Sequence, residues 1–237
     1  MSENEHPSET LPADEIGILI TRPRAYRRLR ALLLLRRSRV LYAELAALTG
    51  APPGADALDI GCGPGDLVTA LADRVGARGT VLGIDPAPQM IDHATARTRA
   101  NCRFEVGAAQ HLALPDASVD VITATFVMHH IPQARREDVL ANMYRMLRPG
   151  GTLLLADTHT GGPVLPTLIR VMSRSAARRT DDSAGRRTDH HGAGHPDPLA
   201  AIDIRRYRSD LSRLGFASIE FRTAGSTTGI LIARKPG

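Results

Sequence analysis

A chain of 237 residues is long enough for one full α/β domain with additional helices. Aromatic residues make up only 3% of it and Trp is absent, so its core must be aliphatic, built from Leu, Val, Ile and Ala. The formal net charge of +5 does not by itself mark a nucleic-acid binder, because the basic residues are nearly all Arg and the single lysine is Lys235.

The chain begins with the polar, acidic stretch "MSENEHPSETLPADE", which lacks the basic and apolar regions of a secretory leader. Residues 1–20 read as a disordered tail and residues 21–237 as one domain. Arg24 to Leu48 has a helical pattern, with leucines on one face and arginines around them. Its apolar run Ala31–Leu35 is far too short to span a bilayer. "GAPPGA" (Gly50–Ala55) breaks the helix. Two cysteines, Cys62 and Cys102, exclude a disulfide framework and a cysteine-rich metal site. These features together predict a soluble cytoplasmic protein with no membrane span.

Strands and helices then alternate. "ALDI" (Ala57–Ile60) reads as a buried strand and Leu67–Val75 as a helix. "TVLGID" (Thr80–Asp85) is a second strand, followed by a helix over Pro88–Arg99. Cys102–Gly107 and Val119–Val127 are the third and fourth strands. A helix over Gln133–Leu147 stops at "RPGG", and Thr152–Asp157 is the fifth strand. Leu165–Met172 and the segment from Pro198 to Phe216 are apolar enough to pack. Between them, Ser173–Pro198 has almost no large apolar residue and reads as a flexible insert. Phe216–Gly225 and Thr227–Lys235 read as two strands joined by a turn. The pattern predicts a Rossmann-like, doubly wound seven-stranded sheet, mostly parallel, with a C-terminal antiparallel hairpin.

The most informative stretch is "LDIGCGPGD" (Leu58–Asp66). Glycines between a strand and a helix let the backbone approach a ligand closely and turn amides toward it. Gly61 and Gly63 fit G-x-G-x-x-G, but Asp66 stands at its third glycine and Gly65 comes one residue earlier. No Gly-Lys-Ser/Thr follows, which excludes a P-loop. Asp59 stands two residues before the first glycine. Asp85 ends the second strand, where a carboxylate can accept hydrogen bonds from both hydroxyls of a ribose.

Asp59-Ile60-Gly61-Cys62-Gly63-Pro64-Gly65 resembles the first motif of class I S-adenosylmethionine-dependent methyltransferases. "GIDPAPQM" (Gly83–Met90), "LPDASVDVITATFVMHHI" (Leu114–Ile131) and "MYRMLRPGGTLLLAD" (Met143–Asp157) resemble their later motifs. The resemblance is to the small ubiquinone/menaquinone biosynthesis type, and it covers residues 24–160 best. It implies S-adenosyl-L-methionine as cofactor. Gly61, Cys62, Gly63 and Gly65 would lie against it, Asp59 would face its methionine end, and Asp85 with Pro86 its ribose. Relatives of this kind often carry an acid where Ala108 stands. Adenine then falls to the backbone near Ala108 and Ala109 and to Met90 and Ala87, with Gln110 as a polar contact. Thr125 would lie beside the methionine portion. The Arg-rich helix before residue 40 reads as a lid over the cofactor.

Methyl transfer needs alignment more than acid–base chemistry, so a conspicuous catalytic residue is not required. His129 and His130 follow the fourth strand, on the side of the sheet where open α/β sites lie, and are the catalytic candidates; His159 is a weaker one. No metal is expected. "HHGAGH" (His190–His195) sits in a Gly-rich stretch with no fixed ligand geometry. The expected acceptor is a small organic molecule, with O, N or C as the methylated atom. Two rivals stand beside this reading. An RNA or DNA methyltransferase would be expected to show Asn/Asp-Pro-Pro-aromatic after strand four, where this chain has "TATFVMHH". A non-catalytic protein binding the same cofactor would share the same motifs. Neither a monomer nor a homodimer is favoured by the pattern.

Overall fold

The computed structural model describes residues 38–158, 203–224 and 228–237. The expected tail, the Arg-rich part of the first helix, His159, the insert and its three histidines lie outside the described residues.

In chain order the elements are α1 (Ser38–Leu48), β1 (Asp56–Ile60), α2 (Asp66–Val75), β2 (Thr80–Asp85), α3 (Pro88–Thr95), β3 (Cys102–Val106) and β4 (Val119–Thr125). Then follow α4 (Arg136–Met146), β5 (Leu147–Thr158), α5 (Arg208–Arg213), β6 (Ser218–Ala224) and β7 (Thr228–Arg234). Short 3₁₀ turns occupy Ala109–His111, Met128–His130, Gln133–Arg135 and Ile204–Tyr207.

The strands form one seven-stranded sheet in the order β3-β2-β1-β4-β5-β7-β6. The first five are parallel, and β7 runs antiparallel to both β5 and β6. The doubly wound sheet and its antiparallel end match the sequence pattern. The hairpin closes one edge of the sheet as expected, with the later strand β7 beside β5 and β6 outermost.

Successive residues of each strand face opposite layers. Leu58 and Ile60 point into one core with Ile122, Leu153, Leu155 and Leu231, against α4 and Leu211 of α5. Ala57, Val121 and Leu154 point into the other, against Leu45 of α1 and Leu67, Val68 and Leu71 of α2. Asp59 shares the face of Ala57, so the acid lies on the side covered by α1 and α2. Coverage on both faces explains why β4 is buried nearly throughout and β5 is buried from Gly151 to Asp157.

Several boundaries differ from the sequence pattern; α3, for one, ends at Thr95 and not at Arg99. The fourth strand stops at Thr125, not Val127, because Phe126 takes the left-handed conformation at φ 57 and the chain turns. The fifth strand starts at Leu147 directly after α4, running through "RPGG" before reaching its apolar run. The last helix is short within the described residues, being preceded by the 3₁₀ turn Ile204–Tyr207. Among the described residues, no helix is long and apolar enough to cross a membrane.

Candidate active site

The strand order reverses between β1 and β4, whose carboxyl ends open a crevice. The glycine loop after β1 forms one wall of it. Gly61 adopts φ +70, and a Cβ there would lie 2.4 Å from Cγ2 of Val127. No side chain fits, so the loop after β1 presses directly on the turn after β4. Gly63 adopts φ +52, and a Cβ built on it meets no atom within 4 Å. Its free side faces open space, which is what close approach of a ligand to backbone requires. Gly65, also left-handed, begins α2 as its N-cap.

A small open cleft lies against this loop, lined by Tyr42, Gly61, Cys62, Gly63, Pro64, Asp66, Leu67 and Thr125. Of the residues expected at the cofactor, Gly61, Cys62, Gly63 and Thr125 therefore line the cleft. Asp85 is coupled to it through the backbone: its Oδ2 accepts from the Gly63 N–H at 2.9 Å. Its Oδ1 accepts from the Ala87 N–H, also at 2.9 Å. Each oxygen retains a further lone pair for a ligand hydroxyl. Burial raises the Asp85 pKa, and these two backbone hydrogen bonds oppose the rise.

Asp59 is deeper still, only 1% exposed. It sits opposite Thr123 in the β1–β4 register, and the Thr123 hydroxyl donates to its Oδ1 at 2.7 Å. Its Oδ2 is buried with no hydrogen-bond partner among the described residues. Burial pushes the Asp59 carboxyl up to about 7; the Thr123 hydrogen bond works against this and the Asp85 charge adds to it. Cys62 is a buried free thiol whose pKa is raised by burial and by Asp59 and Asp85, so it is not a reactive nucleophile.

Pro86 and the residues expected near adenine lie away from the cleft walls. Met90, Ala108 and Ala109 are buried, and Gln110 and Pro86 are half-buried, around the carboxyl ends of β2 and β3. They do not line the cleft described above.

Beyond β4, the 3₁₀ turn Met128–His130 places the two histidines side by side, ring centroids 4.1 Å apart. Their environments differ sharply. Nδ1 of His129 is 2.8 Å from Oδ2 of Asp157, which lies near the end of β5 and is 1% exposed. Nδ1 of His130 is buried with no partner among the described residues. Burial, with a contribution from His129, lowers the His130 pKa to about 4, so this ring is neutral at physiological pH. Arg136, itself buried, fixes the turn by donating from Nε to the Ile131 carbonyl at 2.8 Å and from Nη2 to the His129 carbonyl at 3.4 Å. The Tyr207 hydroxyl is buried nearby, beside the Arg136 guanidinium.

Sequence reasoning missed Asp157 as the partner of His129, and Tyr42, Pro64, Asp66 and Leu67 as cleft walls. Asp157 carried one usable signal, an acid at the carboxyl end of a buried strand. Tyr42 carried none, since it reaches the cleft from a helix distant in sequence. Among the described residues, no group of His, Cys, Asp or Glu is arranged to hold a metal ion.

Residues 57–151 match the family model for a methyltransferase domain. A demethylmenaquinone methyltransferase of Lactobacillus johnsonii is 39% identical over 107 residues, covering 43% of this chain and 43% of its own length. An arsenite methyltransferase of Halobacterium salinarum is 36% identical over 121 residues, 49% of this chain and 30% of that protein. The chain thus spans less than half the length of these curated relatives. Among solved structures, an S-adenosylmethionine-dependent methyltransferase from Aquifex aeolicus superposes with a TM-score of 0.64 at 18% identity, covering 90% of this chain and 98% of that one. A Haemonchus contortus phosphoethanolamine N-methyltransferase, solved with phosphomonomethylethanolamine and S-adenosylhomocysteine, gives 0.55 at 16% identity, covering 79% of this chain and 50% of its own. At these identities the structural likeness speaks to the fold.

Proposed function

We propose that this chain, whose residues 57–151 match a methyltransferase domain, is a class I S-adenosylmethionine-dependent methyltransferase that transfers a methyl group to a small organic acceptor. The observation that carries the proposal is the glycine loop: Gly63, open on its free side, is tied through its amide to the acid that ends β2. A loop so held is already shaped for a ligand, which reduces the ordering cost of binding.

The residues present fit S-adenosylmethionine. Asp85 has lone pairs left for two ribose hydroxyls, Gly63 offers a bare backbone surface, and the unpaired Oδ2 of Asp59 suits a cationic ammonium. When bound, that cofactor supplies an electrophilic methyl group on a sulfonium. Met90, Ala108, Ala109 and Gln110 would border the adenine and Thr125 the methionine chain. His129 and His130 would face the acceptor. The relatives named for demethylmenaquinone, arsenite and phosphoethanolamine support a small acceptor over a nucleic acid. Cys62 and Cys102, both free thiols, are in keeping with a cytoplasmic protein.

Titration calorimetry tests the reading directly. S-adenosylmethionine and S-adenosylhomocysteine should each bind with a micromolar Kd, about −8 kcal/mol. Absence of heat and of any thermal shift with either compound would refute it. Loss of all binding to bulk RNA at low salt would remove the nucleic-acid alternative.

A further inference from the structure

The two histidines after β4 are not equivalent, and the difference bears on the acceptor. We infer that Asp157 positions His129 as a general base, and that the acceptor is a hydroxyl whose proton must leave as the methyl group arrives. The inference rests on the methyltransferase reading above and adds the base and the acceptor class.

The geometry is that of an oriented imidazole. Nδ1 of His129 lies 2.8 Å from a carboxylate oxygen of Asp157, so its N–H donates to that oxygen and the Nε2 lone pair is left free to accept a proton. Asp157 is 1% exposed, whereas the His129 side chain is 26% exposed. The orienting acid is therefore shielded from water while the base retains an open face. The backbone carries the same arrangement: Arg136 holds the His129 carbonyl from α4, and Val127, two residues before His129, is the residue pressed against Gly61. The base is thus fixed to the turn that packs against the glycine loop of the cleft. His130 cannot share the role, because its Nδ1 is buried and unpartnered. The groups around His129 are His130 on its own turn, Asp157 from β5 and Arg136 from α4, with Tyr207, from the turn before α5, beside Asp157 and Arg136.

The step balances. Nε2 of His129 takes the hydroxyl proton while the acceptor oxygen forms the new C–O bond to the methyl carbon. The electron pair of the broken C–S bond stays on the departing sulfur, which ends uncharged. The imidazolium left behind is stabilised by the Asp157 carboxylate and afterwards releases its proton to water. An acceptor that is already an anion, or a lone-pair donor with no proton to lose, gains nothing from this arrangement.

Three measurements test the inference. In ¹⁵N-histidine-labelled protein at pH 8 without ligand, His129 should be the tautomer protonated on Nδ1 and bare on Nε2. With S-adenosylmethionine and a panel of simple phenols and alcohols, H129Q should lose at least about 100-fold in kcat on weakly acidic phenol and far less on 4-nitrophenol, which arrives deprotonated. D157N should lower kcat on phenol by at least about tenfold with little change in KM, while keeping the wild-type melting temperature within a few degrees. S-adenosylhomocysteine should bind both variants within about threefold of wild type. A bare Nδ1 on His129, equal losses on both phenols, unimpaired D157N, or wild-type transfer to none of the hydroxyl acceptors would overturn the inference. If the wild type fails to bind S-adenosylhomocysteine, the methyltransferase reading itself falls.

Discussion

Asp59 is the residue on which burial and chemistry pull hardest in opposite directions. Its carboxyl is pushed up to about 7 from an ordinary 3.8, so the folded protein holds a proton that the unfolded chain has lost between roughly pH 4 and pH 7. The stability linked to that proton is full below about pH 4 and is lost as pH rises through about 7, with a slope of at most about 1.4 kcal/mol per pH unit. Urea denaturation should therefore show the wild type losing stability relative to D59N between pH 5 and pH 8. A cationic ligand group beside Oδ2 would favour the ionised acid, so calorimetry near pH 6.5 in buffers of different ionisation enthalpy should detect proton release on binding. Gly61 supplies a second test. In G61A the left-handed φ and the 2.4 Å approach to Val127 act together, and binding of S-adenosylhomocysteine should be lost. G61A/V127A should recover part of it, since it relieves the contact but not the φ. Both positions were legible in the sequence, because an acid and glycines directly after an apolar run have few other uses. The His129–Asp157 pair was not, because it joins residues 28 apart through the β4–β5 pairing, which no local pattern encodes.

Among the elements, the parallel strands and their helices followed from alternation and length, and the places where the pattern failed are those where long-range pairing decided the outcome. "RPGG" ended α4 as expected, but Leu147 pairs with Val119 at once and so begins β5 without a separate loop. The same junction contains the chain's single lysine. Lys235 donates to the carbonyls of Tyr144 and Leu147 at 2.9 and 2.8 Å, and its ammonium lies 4.5 Å from the Tyr144 ring centroid. It closes the carboxyl end of α4, where carbonyls lack helical partners, and joins it to the residue after β7. K235Q should cost about 1–3 kcal/mol, seen as a lower urea midpoint at an unchanged m value. At the same end of the sheet, Arg148 pairs with Asp56 at 2.9 Å and Asp120 at 2.7 Å, fastening the starts of β1, β4 and β5. The amino ends of the strands are thus fastened to one another, while the carboxyl ends are left to the cleft.

At the scale of the whole molecule, the fold collects Asp59, Asp85, the glycine loop, His129 and Asp157 from β1, β2, β4 and β5, and their proximity depends on the sheet being complete. Ligand and fold should therefore report on each other. S-adenosylhomocysteine at a hundred times its Kd should add about 2.7 kcal/mol to unfolding stability, and the thermal shift should vanish in G61A. The strand order was the least legible property of the chain: alternation says that strands are parallel but not that β1 adjoins β4, or that β7 enters between β5 and β6. That last insertion has a consequence during synthesis. β5 is made long before residues 228–234, and until they leave the ribosome its apolar edge has no antiparallel neighbour. β6 is likewise stranded, since its pairing in the sheet is with β7. A nascent chain stalled before residue 228 would carry the methyl-donor motifs intact and yet expose an open strand edge, making it a substrate for chaperones and a seed for aggregation.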